Sequence, residues 1–190
     1  MQTRLIIGSS VNLSFNFNKY INCMLNVIPK NDLSGITKIE ILNLDISNNK
    51  SPKDFTAQYW PSNDGKDSRI EVNINKISKE VIAGYIFKFY KEVAALWLSE
   101  YIFHEIGHHV HQFKRHGVKK KKYEQFASKY AKAGYLNYLI SRKKKILTSF
   151  RIGTFDIIFL NKKERKIMKK NLNDLCEWLE QNKEEIRFPK

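Results

Sequence analysis

The sequence predicts an α+β fold, and three observations support that class. The chain has 190 residues, which is enough for one compact domain with a substantial core. Apolar residues make up 42% of the chain and aromatic residues 13%, which excludes a disordered protein. Its first half holds stretches that alternate with the period of a strand, and its second half holds long stretches with helical spacing. A helix, a small sheet and then several helices are typical of an α+β domain.

The first part of the chain predicts one helix and three strands. Apolar side chains recur every three or four positions over residues 15–28, which predicts an amphipathic helix that Pro29 ends. Residues 36–46 alternate between apolar and polar side chains and predict a strand. Residues 55–60 and 68–74 predict a hairpin, because the connection between them is rich in turn-forming residues.

The second part of the chain predicts mainly helices. Residues 79–113 have a helical and strongly apolar pattern, and residues 94–113 are apolar on most sides, which predicts a buried central helix. Gly117 is the predicted end of this helix. The remaining predicted elements are a helix at 123–140, a strand at 152–160 and an amphipathic helix at 163–183.

Positive charge is concentrated in the last two fifths of the chain. Residues 1–113 carry a net charge of +1, whereas residues 114–190 carry 22 basic and 8 acidic side chains. This asymmetry favours an anionic partner such as nucleic acid, while a solvated surface without a partner explains it equally well. We therefore divide the chain into a domain at 1–140 and a basic helical extension at 141–190.

The sequence predicts a cytoplasmic protein that does not enter a membrane. No apolar stretch approaches the ~20 residues that a spanning helix needs. The apolar stretch near the start is too short for a signal peptide and lacks a cleavage pattern. Cys23 and Cys176 lie far apart and outside any C-x-x-C motif, which is typical of a reducing compartment.

The histidines point to a metal site, since all five lie between positions 104 and 116. Within the central helix, His104-Glu105-Ile106-Gly107-His108 forms an H-E-x-x-H motif. Residues four apart lie on one face of a helix, so both imidazoles can reach one Zn²⁺ at ~2.0–2.1 Å. Glu105 lies beside that face and suits the role of general base for a metal-bound water. The alternative is a pair of core histidines satisfied by hydrogen bonds.

A catalytic zinc site needs a third protein ligand and an open position. His111 lies on the same helix face but nearly two turns from His104, and one straight helix rarely places three ligands around one ion. His116 follows the helix in a loop that can fold back. Glu124 begins the next predicted helix, where small Ala127 and Ala131 permit close packing against the first. We favour Glu124 over His116.

The H-E-x-x-H at 104–108, followed after a short loop by Glu124-x-x-Ala127, resembles the zincin metallopeptidases. The resemblance is closer to the gluzincin branch and to its small minigluzincin members, which include the ImmA/IrrE-like peptidases. It covers roughly residues 36–135.

The resemblance implies a zinc metallopeptidase in which His104, His108 and Glu124 bind zinc and Glu105 is the general base. It also implies a small twisted sheet, an active-site helix and a second, ligand-bearing helix. The edge strand of such a sheet pairs with an extended peptide or protein substrate. We expect Arg69–Ile74 to be that edge strand.

Two alternatives remain beside the gluzincin hypothesis. Ser128 follows Ala127, where many gluzincins carry Asp or Asn, and Lys114 stands where a metzincin has its third histidine, which excludes that branch. Arg115-His116-Gly117 resembles the later ligand of SprT-type proteases, which act on DNA-bound proteins. The other alternative is a nucleic-acid-associated regulator with a structural zinc site.

The sequence gives weaker support for a functional role of three further residues. His109 points away from the metal-facing side of the helix and is expected to be a core or supporting residue. Tyr130 or Tyr135 is a candidate to polarise a scissile carbonyl, although aromatic core packing is the favoured role of both.

Overall fold

The computed structural model describes residues 4–7, 16–42, 55–61, 68–74, 91–114, 120–149 and 162–189. These residues form a mixed α+β arrangement in which one sheet packs against helices. The strands are β1 (Arg4–Ile7), β2 (Ile36–Leu42), β3 (Ala57–Trp60) and β4 (Ser68–Asn73). The helices are α1 (Phe17–Leu25), α2 (Lys91–Lys114), α3 (Lys120–Ser149) and α4 (Lys162–Gln181), with 3₁₀ turns at Lys30–Leu33 and Lys183–Ile186.

The four described strands are ordered β1-β2-β4-β3. β1, β2 and β4 run parallel, and β3 runs antiparallel to β4. The predicted hairpin is thereby confirmed. The prediction that Arg69–Ile74 forms the edge is wrong, because β4 lies between β2 and β3. Glu71 and Asn73 of β4 are buried together with its apolar residues, and burial on both faces is typical of an interior strand.

The predicted helices are largely confirmed. α1 lies within the predicted 15–28, and the Asn16 side chain accepts a hydrogen bond from the Lys19 amide at 3.1 Å at its start. α2 contains the predicted central helix, and Leu98, Ile102 and Phe103 are fully buried in it. α3 extends beyond the predicted 123–140 at both ends. The predicted helical residues 79–90, the helix end at 117 and the strand at 152–160 lie outside the described residues.

α3 packs against α2 at two separate anchor points. Near the carboxyl end of α2, a β-carbon on Gly107 would lie 2.7 Å from the Ala127 Cα atom, so the two backbones meet there without side chains between them. At the other end, Arg142 of α3 forms a two-pronged ion pair with Glu92 of α2, with nitrogen–oxygen distances of 2.6 and 3.0 Å. Both partners of this pair are mostly buried. The two anchors together fix the position of α3 along α2.

We predict that Gly107→Ala separates α2 from α3. The added methyl group would meet backbone rather than a flexible side chain, so α3 must move. Overpacking of this kind costs roughly 1–3 kcal/mol of the free energy of unfolding, and it displaces the start of α3. Thermal or urea unfolding measures the cost. Gly134→Ala is the matched control, because a methyl group there would lie 2.7 Å from the buried Phe103 ring and also overpack the contact of α2 with α3, but farther along α3 from Glu124. It should cost stability without weakening zinc binding, so equal zinc affinity in both variants would contradict the role given to Gly107.

Candidate metal centre

Three side chains from two helices converge at the start of α3. His104 and His108 lie one turn apart on α2, and Glu124 lies in the first turns of α3. The Glu124 Oε2 atom is 3.4 Å from His104 Nε2 and 3.6 Å from His108 Nε2. All three ligand atoms lie within 4.8 Å of one another. This group could hold a metal ion.

The distances from Glu124 to the two histidines match a tetrahedral site. Ligands at ~2.0–2.1 Å from a tetrahedral ion lie about 3.4 Å apart, and the two distances to Glu124 are 3.4 and 3.6 Å. Half of the Glu124 side chain and about a quarter of the His104 side chain are exposed. The group is therefore open on one side, as a site that admits a fourth ligand must be.

The electrostatic environment keeps His108 neutral. Burial and the neighbouring His104 lower the pKa of His108 to about 4. At neutral pH its imidazole therefore carries a lone pair, which is the form that binds a metal. The ring stacks on Tyr123 at 4.3 Å, and the Tyr123 hydroxyl donates a hydrogen bond to the His108 carbonyl at 3.2 Å. These contacts hold the imidazole in place.

Glu105 occupies a buried position beside the three candidate ligands. The residue is 7% exposed, and its Oε2 atom accepts a hydrogen bond from the Tyr59 backbone amide at 2.7 Å. Burial raises the pKa of Glu105 to about 7; the Tyr59 amide acts in the opposite direction, and the charge of Glu124 adds to the rise. A carboxyl group that titrates near neutral pH can both accept and return a proton.

The β3 strand presents an open edge to this site. Among the described residues, β3 has a strand neighbour on one side only. Thr56 accepts a hydrogen bond from the Asn73 amide at 2.8 Å, and facing residues of an antiparallel pair alternate in hydrogen bonding. The backbone groups of Ala57 and Tyr59 therefore point away from β4, and the Tyr59 amide reaches Glu105. β3, rather than the predicted Arg69–Ile74, lies over the site.

A cavity of about 690 Å³ adjoins the metal-binding group. It lies between β3, α2 and α3, and Ala57, Tyr101 and Tyr135 contribute apolar and aromatic surface to it. His104 and Glu105 form part of its wall. A side chain of a bound molecule can enter this cavity within reach of Glu105.

The other described candidate residues do not belong to this three-residue group. His111 is buried against the rings of Tyr123 and Phe126, with centroid distances of 5.0 Å for both. Tyr130 donates a hydrogen bond to Asp32 at 2.8 Å and is fully buried, so its hydroxyl is directed to the 3₁₀ turn before β2. His116 lies outside the described residues.

Two contributors to the site are absent from the sequence-based prediction. Tyr59 acts through its backbone amide, which every residue except proline has. The residue type at position 59 therefore does not predict this contact. Tyr123 directly precedes Glu124 and stacks on a ligand imidazole. The position next to a candidate ligand is the only sequence signal for it.

Compared with protein-family models, with curated proteins and with solved structures, the chain matches none of them. No described helix combines the length and the apolar character needed to cross a membrane. The function is therefore argued from the geometry of the site.

Proposed function

We propose that the protein is a zinc-dependent metallopeptidase of gluzincin type. The observation that carries the proposal is the position of Glu105: a buried carboxyl group with a pKa of about 7 stands beside three metal-binding side chains and under an open strand edge. A site that only holds the fold together has no need of such a group. The zincin-like character of the fold is part of this proposal.

Zinc is the metal that suits these donors best. Two imidazoles and one carboxyl group, arranged around one point with one open side, are typical of catalytic zinc sites. Magnesium and calcium favour oxygen ligands in larger numbers. When bound, zinc would polarise the scissile carbonyl and acidify a water molecule.

The residues of the chain supply substrate binding and proton transfer. The Ala57 backbone groups and the Tyr59 carbonyl, which point away from β4, bind an extended peptide as a further strand, while the Tyr59 amide holds Glu105. A side chain next to the scissile bond enters the cavity of about 690 Å³. Glu105 accepts a proton from the attacking water and passes it to the leaving nitrogen, so a poor leaving group departs as an amine.

The basic part of the chain supports a second candidate function. α3 carries exposed lysines on the surface away from the core, and they belong to the region with 22 basic side chains. These lysines are Lys121, Lys122, Lys129, Lys132, Lys144 and Lys145. They suit contact with nucleic acid, either by a protease that acts on DNA-bound proteins or by a regulator whose zinc is structural.

Metal removal and replacement test the proposed activity. We expect about one zinc per chain after purification without added metal, and hydrolysis of an unfolded protein such as denatured casein. A chelator should abolish hydrolysis, and stoichiometric zinc should restore it where magnesium does not. Elemental analysis and peptide mass spectrometry provide the two measurements. A protein that binds zinc without cleaving any peptide would favour the regulator, and one that takes up no zinc would refute both.

A further inference from the structure

His109 joins three parts of the structure by hydrogen bonds, although it is not one of the metal-binding residues. It is buried, with its Nε2 atom 2.8 Å from the Ser34 carbonyl oxygen and its Nδ1 atom 2.9 Å from the Tyr59 hydroxyl. A carbonyl oxygen can only accept, so Nε2 carries the proton and Nδ1 accepts from the hydroxyl. Burial lowers the pKa of His109, which agrees with a neutral ring.

Tyr59 connects this histidine to Glu105. The side chain of Tyr59 donates to His109, while its backbone amide donates to Glu105 at 2.7 Å. Both hydrogen bonds join the edge strand β3 to α2, where their partners Glu105 and His109 lie four residues apart. Tyr59 is thus held by His109 through its side chain, and it holds Glu105 through its backbone amide.

The Ser34 end of this connection is also firmly placed. Gly35 has a φ of 92°, a conformation that side-chain-bearing residues rarely adopt, and it turns the chain between the 3₁₀ turn and β2. The Ser68 side chain donates a hydrogen bond to the Gly35 carbonyl. His109 is therefore held between a rigid turn and the edge strand.

We propose that His109 is a positioning residue, which acts through Tyr59 to set the distance between β3 and α2 and so places the Glu105 carboxylate. This inference rests on the proposed function and adds a requirement that the metal-binding group does not contain. A peptide bound to β3 moves with that strand, whereas Glu105 stays on α2. A displaced strand therefore misaligns the substrate with its base, which slows the chemical step more than it weakens substrate binding.

Tyr59→Phe tests the proposal directly, because it removes the hydroxyl and leaves the backbone amide. We expect kcat to fall about tenfold and KM to change less than about threefold, with zinc content unchanged. His109→Ala should have the same effect, and the double variant should be no worse than either single one. His109→Asn places an acceptor near the position of Nδ1 and should restore part of kcat. Unchanged kcat in Tyr59→Phe, or a change in KM alone, would overturn the proposal.

Tyr138→Phe is the matched control. Tyr138 is a fully buried tyrosine whose hydroxyl has no hydrogen-bond partner among the described residues, so removal of that hydroxyl should leave kcat and KM as in the wild type. An equal fall in kcat there would mean that loss of any buried tyrosine hydroxyl slows the enzyme, and would overturn the role of Tyr59.

Amide hydrogen exchange gives a readout that needs no activity. In the metal-free protein, Tyr59→Phe should speed exchange of the amide at position 59 by about tenfold or more, since its acceptor on α2 is no longer held in register. The amides of Gln58 and Trp60 face β4 and should exchange as before. An unchanged rate at position 59 refutes the proposed positioning. Lack of peptidase activity in the wild type, with the expected exchange rates, refutes the proposed function alone.

Discussion

Glu105→Gln is expected to abolish peptide hydrolysis while zinc remains bound. Glutamine has nearly the same shape, and its carbonyl oxygen can still accept the hydrogen bond from the Tyr59 amide, but it cannot take a proton from water. Loss of a general base lowers kcat by about 10²- to 10⁴-fold. The ligands His104, His108 and Glu124 are untouched, so the zinc content should remain near one per chain. Steady-state kinetics and elemental analysis on the same preparation provide the measurement.

Glu180→Gln is the matched control for this substitution. Glu180 is an exposed glutamate of α4 outside the proposed machinery, so the same chemical change there should leave kcat within about twofold of the wild type. Full activity of Glu105→Gln would show that water is activated without this carboxylate. The regulator with a structural zinc site would then be favoured.

The same substitution should change how stability depends on pH in the metal-free protein. Glu105 has a pKa of about 7 in the fold against an ordinary value of 4.5, so the folded state binds more protons than the unfolded state between these pH values. Its contribution to the free energy of unfolding therefore falls as pH rises from about 4.5 to 7. The ionised group costs on the order of 3 kcal/mol in this buried position.

The difference between the two proteins isolates this effect. His108 has a lowered pKa and makes stability rise with pH from about 4 to its ordinary value, but it is present in both proteins. We expect Glu105→Gln to gain stability relative to the wild type as pH increases from 4.5 to 7, as urea unfolding would show. A constant difference across that range would contradict the raised pKa.

The helices that carry the metal-binding group were predictable because their signals are local. The spacing of His104 and His108 is a property of one helix, and the buried α2 follows from an apolar pattern in consecutive residues. The approach of Glu124 depends on small residues at the helix contact. The small side chain of Ala127 indicates that contact in the sequence, whereas its partner Gly107 is a variable position of the H-E-x-x-H motif and carries no such signal.

The arrangement of the sheet was not predictable in the same way. Strand order depends on which segments pair over long distances, and the alternation within Arg69–Ile74 is compatible with an edge or an interior position. β1 has no clear signal in the sequence, because Arg4–Ile7 is a short stretch without alternation. Its strand conformation depends on parallel pairing with β2, which is distant in the sequence. The hydrogen bond from Tyr59 to Glu105 depends on this arrangement.

Glu124→Ala is expected to weaken zinc binding by about 100-fold or more. Loss of a supporting partner of a metal ligand already costs 10- to 100-fold in affinity, and this change removes a ligand itself. The two remaining imidazoles on α2 would leave half of a tetrahedral site without protein ligands. Competition with a zinc chelator of known affinity measures the loss. Hydrolysis should disappear with the metal, and excess zinc should restore it only in part.

Two neighbouring substitutions decide whether Glu124 is the third ligand. Gln125→Ala changes the next residue of α3, which is exposed and is not one of the three candidate ligands, and should leave zinc affinity as in the wild type. His116→Ala tests the alternative ligand from the loop between α2 and α3. If zinc is retained without Glu124 and lost without His116, the gluzincin assignment is wrong. The later-histidine arrangement of the SprT-type proteases then replaces it, and the basic surface of α3 gains importance, because such a protease would need contact with nucleic acid to find its substrates.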